Sequence, residues 1–249
     1  MQSAIDQFRI SIERVRDLIS LHNSIKSQAT AALDLSDILR AALVLVVSAL
    51  DYYIHEVVTL GMLEIYRGTR SEPSVNRNAT QSAFSRFQVS LGNASEDRKV
   101  AIDIGSWILT EIQQNYGDDF LQQSHEISHL IPIISNTILN RLNNNSWLEA
   151  EIRESLSYKS FQDPDKIADA IRLISDKKLW DEVANKMGRT TKDVKQQLNF
   201  IVDRRNKIAH DADIDPSFGL GNRWPIDELM VNDAVDFIEQ VVESIHQIL

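Results

Sequence analysis

Three polar residues in one short stretch, Arg205, Asn206 and His210, have the side chains that proton transfer beside a phosphate requires. Histidine titrates near neutral pH, so its imidazole can take a proton from a hydroxyl group or give one to a leaving oxygen. A guanidinium carries a permanent charge that stabilises negative charge building on a phosphate. His210 and Arg205 together therefore suit RNA cleavage by attack of the 2′-hydroxyl group. This reaction needs neither a metal ion nor a protein nucleophile.

The spacing of apolar residues predicts that one helix, capped by Thr191 and ending near Asp211, positions these side chains. Its apolar face comprises Val194, Leu198, Ile201, Val202, Ile208 and Ala209. Arg205 falls within this face, where burial of a guanidinium is costly unless an anion, a polar partner or another subunit meets it. A structural arginine with a histidine capping the helix end is the alternative interpretation of the same residues.

The relative directions of the three polar side chains follow from helix geometry. Asn206 and His210 are four residues apart, so the amide is placed to orient the imidazole. Arg205 and His210 are five residues apart and point about 140° away from each other on an ideal helix. They can meet one ligand only if the helix end bends or a long side chain swings round.

The composition indicates a helical protein of ordinary hydrophobicity. The chain has 249 residues, 43% hydrophobic and 25% charged, with only 8 glycines and 5 prolines. The absence of cysteine excludes disulfides and thiolate metal sites and suits a cytoplasmic location. The start of the chain does not resemble a signal peptide, and the longest apolar run, Ala41 to Leu50, is too short to span a bilayer. A net charge of −10 argues against non-specific coating of nucleic acid but not against a local basic site.

The apolar periodicity along the chain predicts an all-α fold. Helices are expected over about 3–28, 37–66, 100–116, 119–143, 147–158, 164–176 and 191–211, with a short one around Trp180 and a last one capped by Asn232. The second of these is apolar nearly all round, as a central helix should be. With no repeat, strand pair or long linker evident, we expect a single helical domain over residues 1–249, in which 68–145 are a family-variable insertion or extra helices.

Two further patterns are open to more than one interpretation. His125-Glu126-Ile127-Ser128-His129 matches the zinc-peptidase pattern H-E-x-x-H, with Glu149 or Glu151 as a possible third ligand. The polar residues before it and Pro132 after it favour an exposed helix face without a metal. The basic residues Arg67, Arg70, Arg77 and Arg86, interleaved with Phe84 and Phe87, suit either a flap that contacts a substrate or an exposed connector.

The segment Arg204-Arg205-Asn206-Lys207-Ile208-Ala209-His210 resembles the R-N-x-x-x-H signature of the HEPN superfamily, which includes many helical ribonucleases of prokaryotic defence and toxin systems. Two other stretches resemble the RiboL-PSP-HEPN branch in particular. One is the early helix around Leu39 to Glu56, and the other runs from Phe161 through Trp180 and Leu198 to the signature. The resemblance implies an all-α HEPN-type bundle with additional helices.

The same resemblance implies roles for individual residues. Arg205 and His210 would form the catalytic pair, Asn206 would tune them, and Arg204 and Lys207 would contact phosphates. Asp51 and His55 are open to two interpretations, as residues that line the site or, more simply, as polar residues at the edge of the core. Members silenced by tyrosine adenylylation carry a tyrosine two residues after the histidine, whereas this chain has Ala212, so that mode of control is doubtful here.

The resulting expectation is a metal-independent endoribonuclease without a cofactor, acting on RNA in the cytoplasm in anti-phage defence or growth arrest. HEPN ribonucleases generally act as dimers whose two signatures meet in a cleft, so a homodimer is expected, with an antitoxin or other regulatory protein as a possible further partner and no membrane partner. A non-catalytic HEPN module that binds RNA, a nucleotide or a protein is the main alternative. A zinc peptidase built on His125, Glu126 and His129 is a more remote one.

Overall fold

The computed structural model describes residues 1–28, 33–73, 108–143, 146–217 and 221–249. The helices are α1 (Gln2–Lys26), α2 (Ser36–Tyr66), α3 (Ile127–Asn143), α4 (Ser146–Ser157), α5 (Pro164–Ile171), α6 (Leu179–Lys186), α7 (Thr191–Asp211) and α8 (Glu228–Ile248). Residues 108–116 are also helical, and Phe120–Gln122 forms a 3₁₀ turn. Within the described ranges there is no strand, only an isolated antiparallel bridge between Ile214 and Arg223. The expected all-α fold is confirmed.

The chain divides into two compact units. The first combines Met1–Phe84 with Leu156–Leu249, and the second is Ser85–Ser155. The second unit overlaps the segment 68–145 for which an insertion or extra helices were expected. The predicted motif helix, α7, belongs to the first unit together with α1, α2, α5, α6 and α8.

Helix α2 is the centre of the first unit. It packs against α1, α5, α7 and α8. Leu43, Val46, Val47, Leu50 and Ile54 expose 1% or less of their surface, so the long apolar run forms the core. Among the described residues α2 is the one helix long and apolar enough to cross a membrane, yet 56% of its most apolar window is buried inside the protein. Burial of this kind is what a core helix requires.

The first and last helices pack against each other and against α2. The predicted apolar face of α1 is buried from Ile5 to Ile19, and that of α8 from Val231 to Ile248. Arg9 of α1 donates to both carboxylate oxygens of Glu243 on α8, at 2.7 and 2.9 Å. This bridge is partly exposed, so apolar burial rather than charge dominates the packing of the two helices.

Several helix ends differ from the predicted ones by a few residues. Asp163 caps α5 as expected, since its carboxylate accepts from the backbone N–H groups of Asp165 and Lys166. The cap of α7 is Thr190 rather than Thr191, and its hydroxyl accepts from the N–H of Asp193. The last helix is capped by Asp227 and already helical at Asn232, so the prediction of an Asn232 cap was wrong. Each observed cap places a side-chain oxygen over an otherwise unpaired N–H group.

The basic flap suggested by the sequence falls largely on residues that the structure does not describe. Arg77, Phe84, Arg86 and Phe87 lie outside the described ranges. Arg70 donates through Nε to Glu64 at 2.9 Å, and Glu64 also pairs with the amino group of Met1. Arg70 is therefore paired with a carboxylate of the first unit.

Candidate active site

The apolar face of α7 is buried along only part of the helix. Val194, Leu198, Ile201 and Val202 expose 8% or less of their surface, because they pack in the first unit. Ile208 is half-buried and Ala209 is exposed, although the pattern predicted that both would be covered. The covered face therefore ends where the Arg205-to-His210 segment begins.

Arg205 lies at this boundary with part of its hydrogen-bonding capacity unused. Its side chain is half-buried, and its terminal nitrogen Nη1 donates to Oδ1 of Asn206 at 3.1 Å. Its Nε is buried and has no hydrogen-bond partner among the described residues. An unpaired donor on a buried charged group is costly, and such groups are concentrated at functional sites. No carboxylate of the described chain neutralises Arg205, so an external anion could meet it.

The surroundings of His210 differ from the predicted arrangement. The amide of Asn206 accepts from Arg205, and no hydrogen bond between Asn206 and His210 occurs in the structure. His210 is exposed, and within the described part of the chain its imidazole forms no hydrogen bond or ion pair. Asn206 thus orients the guanidinium, and the imidazole is left accessible for proton transfer.

Helix α7 remains helical to Asp211, so it does not end or break between Arg205 and His210. Their side chains therefore leave the helix about 140° apart, as the spacing predicted. Arg205 shares a face with Ile208 and Ala212, whereas Lys207 and His210 lie on another face, one turn apart. Within one protomer the two side chains therefore start from different faces of α7.

Arg204, the neighbour of Arg205, is held by a buried carboxylate. Its Nη1 and Nη2 donate to the two carboxylate oxygens of Asp213, the latter at 2.8 Å, and Nη2 also reaches the carbonyl oxygens of Trp224 and Pro225. Arg40 of α2 donates through Nε to the same carboxylate at 2.6 Å and through Nη2 to the carbonyl of Trp224. Arg204 was predicted to contact phosphate, but here its donors are used within the protein.

Asp213 and Arg40 are residues of this region that the sequence analysis did not single out. Asp213 exposes none of its surface and Arg40 only 6%. A buried carboxylate with two guanidiniums is satisfied both electrostatically and by hydrogen bonds, which is the condition for keeping such charges out of water. The one signal available in the sequence was Arg40 itself, a charged residue just before the apolar run of α2.

The chain turns sharply after His210. Ala212 and Asp213 have φ angles of 50° and 60°, in the left-handed region that non-glycine residues rarely occupy. The backbone N–H of Asp213 donates to the carbonyl oxygen of Lys207, and the N–H of Trp224 donates to the carbonyl of Asp213. These bonds join the end of α7 to the chain that leads to α8, residues 212–217 and 221–227, which we call the return segment.

Lys207 lies beside an aromatic side chain on the His210 side of α7. Its ammonium nitrogen is 4.7 Å from the centroid of the Trp224 ring, and the lysine itself is exposed. A cation over an indole is held without losing its charge. Lys207 therefore remains a candidate phosphate contact.

A groove borders the Arg205 face of α7. Its volume is about 570 Å³, and its walls come mainly from apolar side chains of α2 and α7. Ala41, Val44 and Leu45 line it from α2, and Ile208 lines it from α7. Leu45 exposes 41% of its surface, and Tyr52, two turns further along α2, exposes 50%. The first unit therefore presents an uncovered apolar surface next to the candidate site.

Asp51 and His55 are polar residues at the edge of the core. The carboxylate of Asp51 accepts from the N–H of Phe161 at 2.6 Å and from the amide of Gln162 at 3.3 Å. The two ring nitrogens of His55 lie within hydrogen-bonding distance of the carbonyl oxygens of Asp51 and Leu156. Asp51 links α2 to the segment that follows α4, and His55 links α2 to the last turn of α4, which favours the structural interpretation.

The H-E-x-x-H segment does not form the arrangement that a zinc peptidase requires. Helix α3 begins at Ile127, so His125 and Glu126 precede it and the two histidines do not share a helix face. The ring of His125 stacks on Phe120 and contacts its carbonyl oxygen, and Glu149 pairs with Arg153. No cluster of three possible metal ligands occurs among the residues described. The zinc-peptidase hypothesis has no structural support.

Comparison with known protein families gives a match over most of the chain. The model of the family described as RiboL-PSP-HEPN matches residues 9–249, which is nearly the whole chain. No curated protein and no solved structure matches the chain. The family match covers both the α2 core and the α7 segment with Arg205 and His210.

Proposed function

The chain belongs to the RiboL-PSP-HEPN family, and on that premise we propose that it is a metal-independent endoribonuclease in which Arg205 and His210 act on RNA. The observation that carries this proposal is the state of Arg205. Its buried Nε lacks a partner among the described residues, and no carboxylate there neutralises its charge. An RNA phosphate at the accessible part of this half-buried guanidinium would supply the missing negative charge.

The proposed reaction is attack of the ribose 2′-oxygen on the adjacent phosphorus, with cleavage of the bond from phosphorus to the 5′-oxygen. His210 takes the proton of the 2′-hydroxyl group, and His210 of a second copy of the chain gives a proton to the departing 5′-oxygen. Arg205, oriented by Asn206, stabilises the charge that builds on the phosphate oxygens. Lys207 holds a neighbouring phosphate. The products are a 2′,3′-cyclic phosphate end and a 5′-hydroxyl end.

We further propose that the active form is a homodimer. Arg205 and His210 leave α7 in directions about 140° apart, so a second copy is the simplest way to bring both kinds of group to one phosphate. The apolar groove beside Ile208, with the exposed Leu45 and Tyr52, offers a surface that a second copy would cover. An apolar surface of this kind is typical of a homodimer interface.

The test is cleavage of a defined RNA oligonucleotide by the purified protein in excess EDTA. We expect cleavage with 2′,3′-cyclic phosphate ends, and none where the nucleotide before the scissile phosphate is replaced by its 2′-deoxy form. Cleavage at the 2′-deoxy position would contradict attack by the 2′-hydroxyl group.

A non-catalytic binding module is the second candidate, and one observation favours it. Arg205 and His210 leave α7 on different faces, and an uncleaved RNA, nucleotide or protein could use Arg205 alone. Because the family contains proteins of defence and growth arrest, expression in a bacterial cytoplasm discriminates the two. Growth arrest by the wild type but not by His210→Ala supports the nuclease, and equal behaviour of both proteins supports the binding module. Suppression of the arrest by a co-expressed protein would identify an antitoxin or regulatory partner.

A further inference from the structure

The end of the motif helix is fixed by a buried ionic cluster that has no part in the proposed reaction. The carboxylate of Asp213, which exposes none of its surface, binds Arg204 of α7 and Arg40 of α2. Arg40 also donates to the hydroxyl of Ser36 at 2.5 Å and to the carbonyl of Trp224 at 2.9 Å. One carboxylate thereby joins the start of α2, the last turns of α7 and the return segment.

We infer that Asp213 is a positioning residue for His210, holding the last turn of α7 in place through Arg40 and Arg204. This inference rests on the proposed function, since it assigns His210 a catalytic role. Asp213 follows His210 by three residues, and its N–H donates to the carbonyl of Lys207, which precedes His210 by three. His210 therefore lies inside a closed loop of chain whose two ends are bonded to each other.

The backbone between His210 and Asp213 shows that this arrangement is imposed by its surroundings. Ala212 and Asp213 both occupy the left-handed region, which costs free energy for residues with a Cβ atom. Two such residues in succession persist only where other contacts hold them. The two guanidiniums on the Asp213 carboxylate are contacts of that strength. Helix ends otherwise fray, and an imidazole on a fraying turn would be poorly placed for proton transfer.

The same loop offers a matched control. Asp215 is also buried, exposing 3% of its surface, but its carboxylate accepts from the nearby N–H of Ser217. No bond from this carboxylate to α2 or α7 occurs among the described residues. Asp213→Asn and Asp215→Asn therefore make the same chemical change two residues apart, and only the first weakens the link to the helices.

The experiment measures RNA cleavage and amide hydrogen exchange in the full-length protein. For Asp213→Asn we expect kcat to fall at least tenfold with KM within twofold of the wild type, and exchange to accelerate across residues 207–213. Asp215→Asn should leave kcat within twofold. If Asp213→Asn does not fold, Arg40→Lys provides the same test, because lysine keeps the charge but cannot reach both the carboxylate and the carbonyl of Trp224. We expect Arg40→Lys to lower kcat several-fold.

Two results would overturn the inference while leaving the proposed function intact. One is a folded Asp213→Asn protein with wild-type kcat, and the other is an equal loss of kcat in Asp215→Asn. If the wild type cleaves no RNA, the proposed function fails, and exchange alone decides the structural part. We call the contacts of Asp213 with Arg40 and Arg204 the Asp213 clamp. Faster exchange confined to the end of α7 would then support a role for this clamp in holding the helix end, and unchanged exchange would exclude that role.

Discussion

Arg204 and Arg205 are adjacent in sequence but meet opposite surroundings. Arg204 is bound through two nitrogens to the buried carboxylate of Asp213, whereas Arg205 has a single side-chain partner, the amide of Asn206, and a buried Nε without one in the described structure. Neighbouring residues on a helix point about 100° apart, so Arg204 faces the return segment and Arg205 lies on the face that carries Ile208 and Ala212. Of these two arginines, Arg205 is the one whose guanidinium is not already bound to a carboxylate and is therefore available to a phosphate.

Lys207 has a different and weaker role in this account. Replacing it by methionine keeps an apolar contact with Trp224 and removes the charge. We expect Lys207→Met to raise KM for RNA a few-fold at unchanged kcat, and to lower the slope of log affinity against log salt by about 1, as loss of one phosphate contact should. Lys192→Met, at the exposed start of α7, is the control and should leave the slope unchanged. An unchanged slope in Lys207→Met would exclude a phosphate contact.

At the scale of elements, the Asp213 clamp holds the end of α7 to α2 and to the return segment. The clamp explains why a motif helix so exposed in its last two turns stays helical to Asp211. The same contacts indicate that Arg204 stabilises the folded protein. Removing one partner from a buried ionic cluster leaves a charge uncompensated, which costs far more than loss of a surface bridge.

Arg204→Met should therefore destabilise the protein by about 3 kcal/mol, near the lower end of the range for breaking a buried pair because Arg40 still meets Asp213. Urea unfolding at pH 7 measures this loss. RNA affinity of the folded variant should keep its salt dependence. If the free energy of unfolding fell by less than about 1 kcal/mol and the slope of log RNA affinity against log salt also fell, Arg204 would be a phosphate contact instead.

The interface of α8 with α2 gives a prediction about pH. Burial beside Tyr53 lowers the pKa of His246 below that of free histidine, with Arg9 and the amino group of Met1 lowering it further and Glu243 and Asp6 opposing them. The unfolded chain then binds a proton more readily than the folded protein. The resulting stability is complete above the ordinary histidine pKa of about 6.5 and is lost as pH falls through the folded value.

We therefore expect the urea midpoint to fall as pH is lowered from 7 to 5, and to fall less steeply in His246→Gln. Glutamine keeps a polar side chain near the hydroxyl of Tyr53 and cannot take up the proton. Equal slopes for the two proteins would show that groups other than His246 control stability in this range.

The sequence was sufficient to predict most helices, because apolar residues at helical spacing decide which face of α1, α2 and α8 is buried. It also identified Arg205 as a charged residue on an apolar face. It did not reveal the Asp213 cluster, since the partners Arg40, Arg204 and Asp213 are far apart in sequence or point in directions that only the folded return segment fixes. The capping errors at Asn232 and Thr191 have a related cause, because several polar residues precede each helix and their backbone geometry decides which one caps it.

At the scale of the whole molecule, the first unit carries both the clamp and an uncovered apolar surface. Leu45 lines the α2 side of the groove and leaves 41% of its surface exposed, and Tyr52, two turns further along α2, leaves 50% exposed. A homodimer that covers this surface would remove it from water and bring two copies of the motif together. The proposed enzyme is therefore incomplete as a monomer.

Leu45→Asp should convert the dimer to a monomer in sedimentation or light-scattering measurements and lower the cleavage rate in parallel, because a carboxylate within the interface core is not tolerated. Leu229→Asp is the matched control, since Leu229 of α8 exposes 70% of its surface and lies away from the groove. It should remain dimeric and active. Dissociation by Leu229→Asp and not by Leu45→Asp would place the interface on α8 instead.

The assignment of Arg205 and His210 as the catalytic pair depends most directly on the rate at which the wild type, Arg205→Ala and His210→Ala cleave one RNA oligonucleotide in excess EDTA. It predicts cleavage by the wild type and a rate at least a hundredfold lower in each variant, the order of magnitude lost when a group that stabilises transition-state charge or transfers a proton is removed. Circular dichroism shows whether the variants remain folded. Wild-type cleavage by either folded variant would contradict the assignment of this site.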